Sequence, residues 1–207
     1  MHRACQLAFA LLILWNGAGA HATVIATNAT YGVFDGSSGI RTLSVGTHGI
    51  VEDLDLLITF AKCDDPAIGP DGRTCIGRSN SFDREIAFTL TGPDGTSVRI
   101  VDFFTYTGQV PGTGRVTIRF DDQAERVVGG SVTAGTFRPI GSLSAFNEQD
   151  MFGVYTLALA DASSEDPLEF FSASLDVTWR EVPEPGTVVL LGMGWLAMAM
   201  GRQRRRA

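Results

Sequence analysis

Ile86-Ala-Phe-Thr-Leu-Thr-Gly-Pro-Asp-Gly-Thr-Ser-Val-Arg-Ile100 carries the pattern on which the fold turns. Ile86, Phe88 and Leu90 alternate with smaller or polar residues, the two-residue period of a strand with one buried face. Gly92-Pro-Asp-Gly95 then supplies turn chemistry, because Pro presets its own φ and Gly accepts conformations that other residues avoid. The apolar pattern resumes at Val98. The stretch reads as two strands joined by a tight hairpin.

The same grammar extends in both directions. Short apolar runs broken by turn residues predict strands at about 40–46, 50–62, 84–91, 97–103, 115–120, 131–138, 152–160 and 170–180. Leu175, Val177 and Trp179 share one face in the last of these, and Val110-Pro-Gly-Thr-Gly114 is a looser turn. Residues 21–39 are small, polar and glycine-dotted, with at most one short strand near Thr23 to Thr27. No segment of the body holds a helical period. About eight strands in roughly 160 residues predict a single all-β domain, a β-sandwich over residues 21–180.

Charge narrows the class of partner. Between His21 and Pro185 there are 11 basic and 23 acidic residues, a net charge of −12. Such a surface repels phosphate backbones and argues against nucleic acid. It suits divalent cations and helps keep an exported body soluble. Lys62 is the sole lysine of the chain. Cys63 and Cys75 flank a Pro-, Gly- and Asp-rich loop. In an oxidising compartment they predict a structural disulfide, since neither CxxC spacing nor a nearby histidine suggests zinc.

The two ends point to export. Arg3, the apolar run Leu7 to Trp15 and the small residues Ala18-Gly19-Ala20 make residues 1–20 a signal peptide, with cleavage after Ala20 or after Ala22. At the other end Val182-Pro-Glu-Pro185 is followed by an uncharged apolar run, 186–201, and a basic end, 202–207, with Arg202, Arg204, Arg205 and Arg206. The run spans about 24 Å as a helix, short of the roughly 30 Å hydrocarbon core. The arginines belong on the cytoplasmic side, which places the body outside. Motif, short span and basic stop, in that order over 181–207, resemble the PEP-CTERM sorting signal. The resemblance implies an exosortase that cuts near Pro183, Glu184 and Pro185 and passes the protein to the cell surface. Retention of the tail as an ordinary membrane anchor is the other outcome.

A second resemblance covers roughly residues 40 to 180. Ile50-Val-Glu-Asp-Leu-Asp-Leu-Leu-Ile-Thr59, Asp83-Arg-Glu-Ile86, Leu90-Thr-Gly-Pro-Asp-Gly-Thr-Ser-Val98, Phe120-Asp-Asp-Gln-Ala124 and Gly153-Val-Tyr-Thr-Leu157 resemble, in order, the P or Homo B domain of proprotein convertases. That family has a jelly-roll sandwich and usually Trp where Tyr155 stands. Asp83-Arg-Glu-Ile86 lacks its leucine after the aspartate, and Asp166-Pro-Leu-Glu-Phe-Phe171 lacks its glycine. The convertase protease lies in a separate domain, so the resemblance implies no catalysis here.

Catalytic patterns are missing from the body as well. His48 is tied to no nucleophile by spacing, Ser144 has no glycine frame, and phosphate loops and HExxH are absent. The candidate ligands are carboxylates for calcium: Asp53 and Asp55 on one strand, Asp121, Asp122 and Asp161 at strand ends. Tyr106 and Phe146 are the aromatic candidates for glycan contact. The expectation is a non-enzymatic exported surface or extracellular-matrix protein, an exosortase substrate. The alternative is a module binding a glycan such as exopolysaccharide, calcium or a protease through its loops.

Overall fold

The computed structural model describes residues 22–64, 67–76, 80–110 and 112–181. Residues 1–20 and the tail from Val182 onward lie outside them, and with them the expected signal peptide, sorting motif, span and arginines. Twelve strands are present among the described residues: β1 (Ala22–Asn28), β2 (Gly32–Phe34), β3 (Ser38–Val45), β4 (Ile50–Cys63), β5 (Ser81–Phe82), β6 (Ile86–Thr91), β7 (Ser97–Val101), β8 (Gln109–Val110), β9 (Gly112–Phe120), β10 (Gly135–Phe137), β11 (Gly153–Asp161) and β12 (Leu168–Arg180). Two 3-10 turns, Asp83–Glu85 and Leu143–Phe146, are the helical pieces among these residues.

The larger sheet runs β1-β12-β4-β9-β10, with β2 also pairing β12. The smaller runs β3-β11-β6-β7, and β5 pairs β8 separately. Alternation explains how the two main sheets close on each other. Leu54, Leu56, Ile58 and Phe60 of β4 face Tyr155, Leu157 and Leu159 of β11 and Ile86, Phe88 and Leu90 of β6 in one continuous core. Phe60 and Phe88 meet edge to face at 5.2 Å across the sheets. Burying each such ring contributes on the order of 2–3 kcal/mol.

A bulge in β12 changes which residues point inward. Phe170 pairs Phe60 and Ser172 pairs Thr59, so Phe171 is the extra residue. Before it, Leu168 and Phe170 enter the core; after it, Ala173, Leu175 and Val177 do. Phe171 turns outward, where it packs with Ala61, Cys63, Tyr31, Ile68 and Cys75 in a separate apolar cluster. Cys63 and Cys75 are disulfide-bonded, with Cα atoms 5.5 Å apart. Glu169 fastens their loop: its fully buried carboxylate accepts the Ile68 and Gly69 N–H groups and the Tyr31 hydroxyl.

Two ends of the sandwich differ. Ala22 pairs Trp179, so β1 begins where β12 finishes. Segment 148–151 joins the same end, since the Val51 N–H donates to the Gln149 carbonyl and the Met151 N–H to the Gly49 carbonyl. The Gly92–Gly95 turn is there too, held where Gly153, at φ +133°, leaves only enough room for Pro93. We call this the terminal pole. The opposite pole holds Lys62, the disulfide loop, the 3-10 turn at 83–85 and the 162–167 loop.

Most expected strands shift only at their edges. The main departure is 131–138, where only Gly135–Phe137 pairs, parallel to β9. Residues 83–85 form a turn because Asp83 is held in a buried pocket instead of a ladder. Replacing Cys63 and Cys75 together by serine should lower unfolding free energy by about 3 kcal/mol, the loop-entropy value for this spacing, in urea titration.

Candidate functional site

From Leu54 to Phe60 the even-numbered residues of β4 face the core, and Lys62 is next in that series. Its side chain enters the sandwich where apolar layers end and is fully buried. Asp161 ends β11 on the inward face of the other sheet, in phase with Leu157 and Leu159. The two meet across the sandwich: Lys62 Nζ donates to Asp161 Oδ2 at 2.8 Å and Oδ1 at 3.0 Å. Asp166 Oδ2 lies 3.2 Å from Nζ and Glu85 Oε2 3.4 Å, and the Asp166 carbonyl accepts a further hydrogen bond. Asp161 also accepts the Leu168 N–H, and Asp166 the Phe82 N–H at 2.5 Å. One ammonium therefore binds both sheets and two loops.

One positive charge cannot neutralise the carboxylates around it. Burial pushes Asp161 above the usual carboxylate range, with Lys62 opposing the shift. Glu85 is raised by burial and by Asp166 and Asp161, again against Lys62. Buried Asp83, which feels Lys62 and Asp166, is pushed up to about 6, chiefly by desolvation. A fourth case lies on the outer face of the larger sheet. There Asp55 of β4 and Asp176 of β12 share Arg119 of β9, at 2.5 and 3.1 Å, and burial raises Asp55 to about 6.

Beside the lysine cluster an open cleft of about 510 Å³ is lined by Asp64, Phe82, Arg84, Glu85, Glu165 and Asp166, among others. Phe103 and Phe104 stand exposed on the adjoining turn, where the Phe104 N–H donates to the Arg84 carbonyl. The pole thus combines an acidic groove with uncovered aromatic rings. Sequence reasoning passed over Lys62 as a site. Its signal was a lone lysine at an inward position of an apolar strand.

Of the expected calcium ligands, Asp53, Asp55 and Asp121 come near one another, Asp55 feeling the charge of the other two, and Asp161 stands apart. Asp161 belongs to the lysine pole. Asp122 holds the 143–146 turn, accepting the Leu143 and Ser144 N–H groups and the Ser142 hydroxyl. Asp121 accepts the Gln123 N–H, Asp53 accepts the Gln123 side-chain amide, and Asp55 is paired with Arg119. Among the described residues no group of three or more His, Cys, Asp or Glu is arranged to hold a metal ion. Tyr106 and Phe146, the aromatic candidates for glycan contact, are 2% and 0% exposed, so both are core residues. His48 is exposed, paired with Asp150 at 2.7 Å and stacked on Phe152. Ser144 bonds Ser142 and Asp122.

Lys62→Met should destabilise by about 3–5 kcal/mol in urea titration, because it strands Asp161 in the interior; Lys62→Met with Asp161→Leu should recover much of the loss. The pH dependence has a definite sign. Carboxyls raised to about 6 bind protons in the fold before the unfolded chain does. Their contribution is complete below about pH 4 and is lost as pH rises through 6. Lowering pH from 7.5 to 5 should raise Tm in calorimetry, and Asp83→Asn should shrink the rise.

No curated protein matches the chain. Among solved structures it is similar to the Aeromonas sobria serine protease in complex with its chaperone ORF2 (11% identity, 77% of this chain, 28% of that chain, TM-score 0.38). It is also similar to PfGH50B (14%, 80%, 23%, TM-score 0.37) and to infectious bursal disease virus Gx strain (15%, 89%, 38%, TM-score 0.35). The chain spans well under half of each, and at these TM-scores the likenesses bear on neither fold nor function. Residues 181–206 match the PEP-CTERM protein-sorting motif, which supports an exported protein processed by an exosortase.

Proposed function

We propose that this is a non-enzymatic surface or extracellular-matrix protein whose sandwich is a P/Homo B-like domain. The observation that carries the reading is the PEP-CTERM match over 181–206. Pro183, Glu184 and Pro185 serve as the recognition motif. The apolar run holds them at the membrane face, and Arg202, Arg204, Arg205 and Arg206 stop transfer. The disulfide between Cys63 and Cys75 suits an oxidising compartment. Support for the P/Homo B reading is the order of its motifs along the strands. Gly153, Tyr155 and Leu157 open β11 with both side chains in the core, and Leu90 and Val98 flank the Gly-Pro-Asp-Gly turn from inside.

A second reading is a binding module, taking a glycan such as exopolysaccharide, calcium or a protease through its loops. The acidic cleft at the lysine pole favours it, with Phe103 and Phe104 beside it. The cleft's carboxylates select against anionic polymers.

Pro183→Ala with Pro185→Ala, expressed in an exosortase-bearing host, should leave an uncut precursor in the membrane fraction, seen by immunoblot and intact mass. Normal release of the double variant would remove the sorting reading.

A further inference from the structure

The strand pairing places both membrane-directed ends side by side. β1 opens at Ala22 opposite Trp179, the second residue after the cut expected behind Ala20 and the last before the one expected behind Ala22. β12 closes at Arg180 opposite Ile50, and Ile50 bridges Asp150 on its other side. Between Arg180 and the apolar run that starts at Gly186 there are only residues 181–185, whose full reach is about 17 Å. Two of these are prolines, Pro183 and Pro185. Trp179 is locked against Gly49, where a Cβ would lie 2.2 Å from its ring. The last residue before the connection is fixed as well, since Arg180 pairs with Glu148 and Glu52.

The surface at this pole fits the position. Phe152 is 46% exposed and stacks on His48 with ring centroids 4.1 Å apart, and Val154 beside it is 49% exposed. Trp and Tyr settle at membrane–water interfaces because an apolar ring carries a polar group, and Phe152 with the His48 imidazole stacked on it offers the same combination. Asp150 is held by His48 and by the Gly49 and Phe152 N–H groups, so the carboxylate nearest the rings is already paired.

We infer that the terminal pole, with His48, Phe152 and Val154, is the face the precursor lays on the lipid bilayer, and that signal-peptide removal and tail cleavage occur side by side beneath it. The inference rests on the sorting reading of the tail and adds an orientation to it. The lysine pole, with its acidic cleft, then faces away from the membrane. β12 alone spans 13 residues, so the two poles are separated by about 40 Å. The ligand-accessible end of the sandwich is therefore the one farthest from the bilayer.

Orientation is measurable on the uncut, full-length precursor. It would be isolated from an export host without exosortase and reconstituted into phosphatidylethanolamine/phosphatidylglycerol vesicles carrying nitroxide-headgroup lipid. A fluorophore is attached to Thr47→Cys at the terminal pole or to Ser164→Cys at the lysine pole, both exposed positions. Several-fold stronger quenching at position 47 than at 164 is expected. A twenty-residue Gly-Ser insertion after Glu181 should leave vesicle binding intact while reducing the difference. Equal quenching, or stronger quenching at 164, in vesicle-bound precursor would overturn the orientation and leave the sorting reading standing. Precursor that fails to float with vesicles would overturn the sorting reading itself, and the inference with it.

Discussion

Burial of Lys62 among carboxylates is the constraint around which this end of the sandwich is built. A charge removed from water must be matched closely or it destabilises the fold, and here the match comes from both sheets at once. Asp161 supplies it from β11, Asp166 from the loop leading into β12, and Glu85 from the turn before β6. Apolar layers tolerate small repacking shifts at modest cost. A buried ammonium with fixed oxygen partners cannot. The pair fixes the alignment of the two sheets, while the surrounding Phe and Leu residues supply most of the favourable free energy.

Excess negative charge is the other side of this arrangement. Asp83, Glu85 and Asp161 have their charged forms disfavoured by burial, and Lys62 offsets only part of it. The body carries net −12 between His21 and Pro185, so the interior shows in concentrated form what the surface shows diffusely. An acidic exported domain repels its own copies and anionic polymers, and the cleft beside Lys62 gathers Asp64, Glu85, Glu165 and Asp166 in one groove.

Legibility followed physical locality. The hairpin at 86–100 was readable because its period and its Gly-Pro-Asp-Gly turn are local rules. The pairing of Cys63 with Cys75 was readable from spacing and compartment. The Phe171 bulge was not, because a bulge reverses the facing of every later residue and leaves no mark on composition. Tyr106 and Phe146 illustrate the same gap, since burial depends on which strands lie above them. Asp53, Asp55, Asp121, Asp122 and Asp161 looked alike along the chain, yet the fold ties Asp53 and Asp121 to Gln123, Asp55 to Arg119 and Asp122 to the 143–146 turn, and gives Asp161 to Lys62. The PEP-CTERM sorting motif at 181–206 was legible because its parts are consecutive along the chain.

β12, the last strand of the sandwich, lies in the interior of its sheet, between β1 and β4. Neither neighbour can satisfy its inner hydrogen-bond row until Leu168 to Arg180 is available, so assembly waits on the final stretch of polypeptide. A nascent chain halted earlier holds β4 with one edge bare and the core open, prone to aggregation or proteolysis. Timing is thereby written into connectivity: the body completes itself only once Leu168 to Arg180, its last strand, has been delivered.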